Sequence, residues 1–270
     1  MRYLVILSFF LLSMGLVDQD KDGHYRRVKN TNFGKGEHLK YYAHYGFIRA
    51  AEGEVFTDED IVEMNGRPCY KMSVYAKTTT FFDVIAKVRN EYGTYIDTTS
   101  ILPQKFYRYV DEGSYKRNEI MDYDHENDSL FVHTLDLKTR ELVRTDPYAV
   151  PDNIQDMVSG MYYLRTMDFS NLSSGDTLSI DGFFKNKLYD FKIIFDKKEV
   201  IKTKLGKIRA IKIRPIMPNS PIFDGKDSVE IWLSDDANKV PLKVKSALFV
   251  GAIELDIKLA TGLKHPLNKV

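Results

Sequence analysis

The sequence predicts a mainly β protein: a curved antiparallel sheet or incomplete β-barrel with one main amphipathic helix packed on it. Three observations carry this expectation. Apolar residues recur with period 2 through most of the chain from Leu39 onward, turn formers separate those runs at hairpin intervals, and a single segment switches to helical spacing. Strand after strand with no helix between reads as a meander and not as βαβ units. The 17 Tyr and 16 Phe suit this class, because flat rings pack well on a pleated surface. A chain of 270 residues is long enough to be one large β unit, and a single β-rich domain is expected over 36–262.

Taken in order, the chain begins with Arg2 and an apolar run from Tyr3 to Leu12, then turns polar. That layout predicts a secretory signal peptide over 1–17, with a run too short for a membrane span, so the mature chain is expected to have none. No cysteine follows the run, so a lipid anchor is not expected. Residues 18–35 read as a flexible N-terminal segment. Within it "DQDKDG", Asp18 to Gly23, matches half of a calcium loop, but Lys29 stands where the bidentate Glu would close the cage. Cys69 is the only cysteine and cannot form an intrachain disulfide. An exported chain without disulfides fits the periplasm or cell envelope of a Gram-negative bacterium better than eukaryotic secretion. Cys69 itself lies among apolar positions and is expected to be buried.

Strands are expected at 37–57, 68–76, 87–97, 104–111, 129–135, 177–184, 189–195, 207–215, 242–250 and 252–259, with turns at Asn65-Gly66, Glu112-Gly113, Glu126-Asn127-Asp128 and Leu205-Gly206. "TTFFDVIAKV", 79–88, offers a short helix weakened by β-branched residues. "DYDHENDSL" sets Asp122, Asp124, Glu126 and Asp128 at alternate positions, which reads as a strand running into a polar turn more readily than as a cation site. "DNIQDMVSGMYYLRTM" places Ile154, Met157, Val158, Met161, Tyr162 and Leu164 at helical spacing. The expected helix there has Asp152 as N-cap and Gln155 in capping-box position.

Composition limits function. With 39 basic and 38 acidic residues the chain has no overall field for nucleic acid or an anionic membrane. The six histidines show no HExxH spacing, and no GxSxG elbow, phosphate loop or Cys–His nucleophile pattern occurs, so no metal and no cofactor is expected. The one stretch that resembles an active site is "IWLSDDANKVPLKV", with Trp232, Asp235 and Asp236. Acid and base carboxylates in glycosidases stand roughly 5 Å or more apart across a substrate, whereas adjacent residues at a strand end diverge. The polar run between two apolar strands predicts a hairpin tip. Asp156 and Arg165, nine residues apart on the expected helix, leave opposite faces and need separate partners.

Four blocks, "GEHLKYYAHYGFIRAAEG", "DTTSILPQKFYRY", "QDMVSGMYYLR" and "IWLSDDANKVPLKV" followed by "GAIELDIKL", resemble a family of exported bacterial proteins, domain-of-unknown-function family 3108, from about Gly36 to Leu259. The resemblance implies a β-rich periplasmic or envelope domain and no established activity. It supplies no catalytic residues, so Asp156, Arg165, Trp232 and Asp236 are candidate binding positions only. The expected function is a non-enzymatic binding or structural module for a lipid, another amphiphile or an envelope protein. The alternative is a hydrolase of envelope glycans using Asp156 or Asp236, with Trp232 as sugar platform.

Overall fold

The structure is a computed structural model that describes residues 23, 25–216, 229–247 and 252–270. The expected signal peptide and nearly all of the calcium-like run lie outside these residues. The strands are β1 (His38–Tyr45), β2 (Ile48–Met64), β3 (Arg67–Thr78), β4 (Val88–Asp97), β5 (Pro103–Glu112), β6 (Tyr115–Asp124), β7 (Ser129–Leu135), β8 (Leu142–Ala149), β9 (Thr177–Phe184), β10 (Lys187–Thr203), β11 (Gly206–Pro215), β12 (Val229–Ser234), β13 (Pro241–Ala247) and β14 (Ala252–Thr261). Two helices, α1 (Thr80–Asp83) and α2 (Met157–Thr166), complete the described elements. All strands belong to one antiparallel sheet in the order β8-β7-β6-β5-β4-β3-β2-β1-β14-β13-β12-β11-β10-β9. The pairing of β1 with β14 joins the first and last strands, and β8 and β9 are left as the edges of an open, barrel-like sheet.

Local chemistry explains the turns. β2 passes into β3 through Asn65 and Gly66, both at positive φ (53° and 71°), the pair that a tight hairpin with matching twist requires. Lys185 and Asn186 do the same between β9 and β10 with φ of 49° and 61°, a turn that side-chain identity alone hides. The expected strand at 37–57 is two strands, because Gly46 at φ 58° turns the chain back. β8 has no counterpart among the expected strands: as an edge strand it is mostly exposed and contains Pro147, so it lacks a clean alternation. The helix expected over 79–88 shrinks to the single turn α1, with no side-chain cap and with Val84 and Ile85 exposed.

α2 lies on the concave face, and its start corrects the sequence reading. Its N-cap is Asp156 and not Asp152: Asp156 Oδ1 accepts from the amides of Val158 (2.7 Å) and Ser159 (2.8 Å), while the Asp156 amide donates to Ser159 Oγ (2.9 Å). The preceding residue is already committed elsewhere. The Gln155 amide donates to Asp181 O and Gln155 O accepts from the Phe183 amide, both at 2.9 Å, so Gln155 adds a short parallel bridge to the free edge of β9. Tyr148 of β8 and Phe183 of β9 meet edge to face at 5.0 Å, and the gap between the two sheet edges is thereby narrowed.

Four apolar clusters line this arrangement. One joins Leu164 and Phe169 to Ile211, Ile213, Ile231 and Leu233; the others tie β5–β7, the N-terminal segment and the C-terminal tail to the sheet. Cys69 is fully buried, as expected, and burial pushes its thiol up to about 12.

Candidate functional site

Register decides which side chains enter the concave face. Thr94 marks it, because its hydroxyl donates to Asp156 Oδ2 at 2.6 Å. Directly opposed residues share a face. Following the pairs from Thr94 assigns Met72, Val74 and Ala76 on β3, Gly53 and Val55 on β2, and Tyr41 and Ala43 on β1 to the inside. The same rule continues through Leu255 and Ile257 on β14, Val244 on β13, Ile231 on β12 and Ile213 on β11 to Phe191, Ile193 and Phe195 on β10.

These inward positions divide along the strands. At the base, where β2–β3, β4–β5, β10–β11 and β12–β13 connect, Leu39, Tyr41, Met72, Ile96, Leu233 and Ile257 are buried by α2 and the chain termini. Toward the other end, the mouth, Ala43, Ala51, Gly53, Val74, Ala76 and Leu255 are only half-buried. α2 thus fills the lower part of the concavity and leaves a cup above it. One wall of the cup is built from small residues: Ala43 opposes Ala51, and Gly53 opposes Ala76. A Cβ added at Gly53 would lie at ordinary contact distance from Tyr75 O (3.7 Å) and Tyr41 Cβ (3.9 Å), so a small side chain is accommodated there without a clash. The flank of α2 contributes the half-exposed Met157, Gly160 and Met161. On the β4–β6 side the wall is closed by a buried ion pair, Arg108 Nη2 to Glu119 Oε2 at 2.5 Å, with Arg117 on the other carboxylate oxygen at 3.1 Å.

The base of the cup is a polar lock. Glu37 is fully buried and grips Arg165 through two contacts, Nη1–Oε1 at 2.6 Å and Nη2–Oε2 at 2.7 Å. Arg165 Nε donates to Asn238 O at 3.0 Å, and the guanidinium lies 5.0 Å from the Tyr162 ring and 5.3 Å from that of Phe33. Burial opposes the charge on Arg165, but the Glu37 carboxylate outweighs it and holds the arginine above its ordinary value. Among the described residues Asp156 has no cationic partner. Burial drives its carboxyl up to about 6 against the hydrogen bonds from Thr94, Ser159 and Val158.

The four sequence candidates do not converge. Asp156 caps α2, and Arg165 anchors the helix's last turn to Glu37 and to the β12–β13 hairpin. Asp236 sits in that hairpin's tip: Oδ1 accepts from the Asn238 amide (2.9 Å) and Ser234 Oγ (2.9 Å), and Oδ2 accepts from the Asn268 amide (2.9 Å), which ties down the C-terminal tail. Asp235 pairs with Lys198 at 3.0 Å. Trp232 opposes Lys212 and Lys243, on the face opposite Ile231 and Leu233, and so points away from the cup. Its indole N–H donates to Glu199 Oε1 at 2.8 Å, and Lys212 Nζ lies 5.3 Å from the ring, which is 8% exposed and so offers no stacking face to a sugar. In the "DYDHENDSL" run Asp122 pairs with Lys105 and His133 and Asp124 with Asn127 in the turn, while Glu126 and Asp128 are exposed. Among the described residues no group of His, Cys, Asp and Glu could hold a metal ion. The residues that sequence reasoning missed are Glu37 and the small wall; the run Ala43, Ala51, Gly53, Ala76 is a signal only once register shows that the four share a face.

An open antiparallel sheet with an apolar cup and a helical plug defines the class: a barrel-like β protein with a concave face open at one end. The chain belongs to the family described as "Protein of unknown function (DUF3108)", whose profile matches residues 40–258. Among solved structures it is similar to a beta-barrel-like protein of the DUF1849 family from Brucella abortus, with a TM-score of 0.52 at 10% identity over 87% of this chain and 98% of that one. That likeness shows the fold. It is also aligned, at a TM-score of 0.31 and 10% identity over 87% of this chain and 100% of the other, with a protein from Bacteroides fragilis described as exported and YmcC-like in fold. A protein from Parabacteroides distasonis described as a lipoprotein aligns at 0.30 and 9% identity over the same shares. No curated protein matches the sequence. Among the described residues no helix is long and apolar enough to cross a membrane.

Proposed function

We propose that this protein is a non-enzymatic, exported binding module of the cell envelope, and that the cup holds the apolar part of an amphiphile, an acyl chain above all. The observation that carries the reading is the change along the inward-facing positions of the β14–β1–β2–β3 wall, from large and buried at the base to small or aliphatic and half-exposed at the mouth. A concave surface lined by alkyl groups gains roughly 25 cal/mol for each Å² of apolar ligand surface it removes from water. Small side chains on the wall provide the depth that a chain of methylenes needs. The leader-like run at 1–17 and the single cysteine support an envelope location. Asp156, Arg165 and Asp236 serve this reading as the parts that fix the plug and the base, with Trp232 packed on the outer wall. Residues 36–262 act as one unit in it.

The test fills the cup. Wild-type protein is expected to enhance the fluorescence of anilinonaphthalene sulfonate and to release lipid on organic extraction, read by mass spectrometry. Ala51→Phe combined with Gly53→Leu is expected to weaken dye binding about tenfold or more, the equivalent of a lost side-chain-sized contact, with the thermal midpoint retained. Wild-type protein that binds no dye and carries no lipid, or a filled variant that binds as well as wild type, removes the basis of the proposal.

A further inference from the structure

The connections at the mouth differ in character from those at the base. Because successive strands are antiparallel neighbours, the β1–β2, β3–β4, β5–β6, β7–β8 and β9–β10 connections all lie at the mouth. The β1–β2 turn carries Phe47 and Ile48, 107% and 50% exposed, and the α1 segment between β3 and β4 carries Phe81, Val84 and Ile85, at 66%, 89% and 70%. These two tips are pinned side by side, since the Thr79 amide donates to Ala50 O at 2.9 Å and Thr79 Oγ1 to Arg49 O at 3.3 Å. Their apolar side chains are therefore a built feature of one rim and not isolated exposures.

The mouth also carries basic side chains. Lys87, Lys116, Lys138, Arg140, Lys185 and Lys187 are exposed on mouth connections or the strand ends beside them. Acids stand among them: Asp83 is held by Arg89 through contacts of 2.6 and 2.9 Å and Asp111 takes up Lys116 at 3.0 Å, while Glu112 and Glu141 are exposed beside the β5–β6 and β7–β8 connections. At the base the exposed charges are mixed: Glu59, Asp60, Glu126 and Asp128 near or within the β2–β3 and β6–β7 connections, and Lys202, Lys204 and Lys207 near or within the β10–β11 connection. The balanced total of charges predicts no overall attraction to an anionic membrane, but on the mouth connections the exposed Lys87, Lys138, Arg140, Lys185 and Lys187 outnumber the exposed acids Glu112 and Glu141, a local excess of positive charge.

We infer that the mouth rim docks on an anionic lipid bilayer, with the tips at Phe47–Ile48 and Phe81–Ile85 inserted among the headgroups and the rim lysines over the anionic phosphates. Apolar side chains on narrow turn tips can each enter a fluid interface without a matching rigid surface, and basic side chains around them add electrostatic attraction to anionic lipid. A flat protein partner would instead favour a continuous apolar face. Docking in this orientation turns the open end of the cup to the membrane. The inference stands on the rim alone and does not require that the cup be occupied.

The experiment is co-sedimentation of the purified full chain with vesicles of phosphatidylethanolamine and phosphatidylglycerol, and with vesicles of phosphatidylcholine alone. Wild type is expected to bind the anionic vesicles more strongly and to lose that preference at high salt. A variant carrying Phe47→Ser, Val84→Ser and Ile85→Ser is expected to bind at least tenfold more weakly to both, and Lys87→Glu with Lys185→Glu to lose the preference for anionic lipid. Because these side chains are exposed, both variants should keep the wild-type circular dichroism spectrum and the wild-type affinity for the hydrophobic dye, which separates rim from cup. All variants share the same N-terminus, so differences among them report the rim. Undiminished vesicle binding by the rim variants overturns the inference, as does a wild-type protein that ignores both vesicles. A wild-type dimer in sedimentation that the apolar rim variant converts to monomer overturns it in favour of a second copy of this chain.

Discussion

Replacing either member of the Glu37–Arg165 pair tests the view that this lock seats the helical plug, and the two replacements are expected to differ in their pH dependence. Both side chains are essentially without solvent contact, at 0% and 1% exposure. Removing one partner of such a pair leaves an uncompensated buried charge, which costs about 3–5 kcal/mol. Glu37→Gln leaves a guanidinium that cannot lose its proton, with the carbonyls of Asn238 and Asn32 and two aromatic rings around it. Its loss should be about 3–5 kcal/mol and nearly constant from pH 5 to pH 8. Arg165→Met leaves a carboxylate whose remaining side-chain partner is the Tyr162 hydroxyl at 3.4 Å. That carboxylate can escape by taking up a proton, at a cost of ~3–4 kcal/mol at pH 7 that falls by ~1.4 kcal/mol for each unit of pH. In the variant the folded state binds the proton more tightly than the unfolded chain, so stability is present at low pH and is lost as pH rises. Arg165→Met should therefore recover ~2–3 kcal/mol of its deficit between pH 7 and pH 5, and Glu37→Gln under ~1. The double variant, with no buried charge, should lie within ~1–2 kcal/mol of wild type. Urea unfolding followed by the emission of Trp232, the chain's single tryptophan, gives all four values. Single variants that cost under about 1 kcal/mol, or that share one pH profile, would refute the reasoning.

Asp156 should make the wild type less stable as pH rises from the ordinary aspartate range through about 6, since the raised pKa favours the protonated folded form; the amplitude is ~2–3 kcal/mol, and Asp156→Asn should flatten that slope in a thermal-midpoint series while keeping the cap. An unchanged slope in Asp156→Asn would assign the effect to other groups. Gly262→Ala should cost ~3 kcal/mol or more, because φ is +67° and the new Cβ would stand 1.9 Å from Gly36 O, whereas Gly113→Ala, at φ +62° with nothing within 4 Å, should cost only about 1 kcal/mol. Equal midpoints for these two variants in urea would contradict the packing account. The Cys69 thiol should resist Ellman's reagent in the folded protein at pH 8 and react promptly once urea unfolds it, and prompt reaction in the native state would show the site to be open.

Much of the strand content was legible in the sequence because alternation with period 2 is a local consequence of a half-buried pleat, and Asn65-Gly66 or Glu112-Gly113 announce turns by their own backbone preferences. The β12–β13 hairpin was legible for the same reason, through "SDDANK" between two apolar runs. The helix was legible, but its cap was not: Asp152 and Asp156 are both good N-caps, and the choice fell to Asp156 because Gln155 is held in an extended pairing by the edge of β9, far away in sequence. β8 was missed because its neighbours cover one side only, so little alternation is imposed on it.

The cup itself was outside the reach of the sequence. Ala43, Ala51, Gly53 and Ala76 are unremarkable singly, and Glu37 stands 128 residues from the arginine it holds. By itself the sequence determined the period, turns such as Asn65-Gly66 and Glu112-Gly113, the main helix and the absence of familiar catalytic motifs, because each follows from interactions within a few residues. Only the tertiary structure decided which face of each strand points inward, how the first and last strands pair, where the rim gathers its apolar tips, and which buried charges meet, because register and long-range pairing are fixed by contacts between segments that no local pattern records.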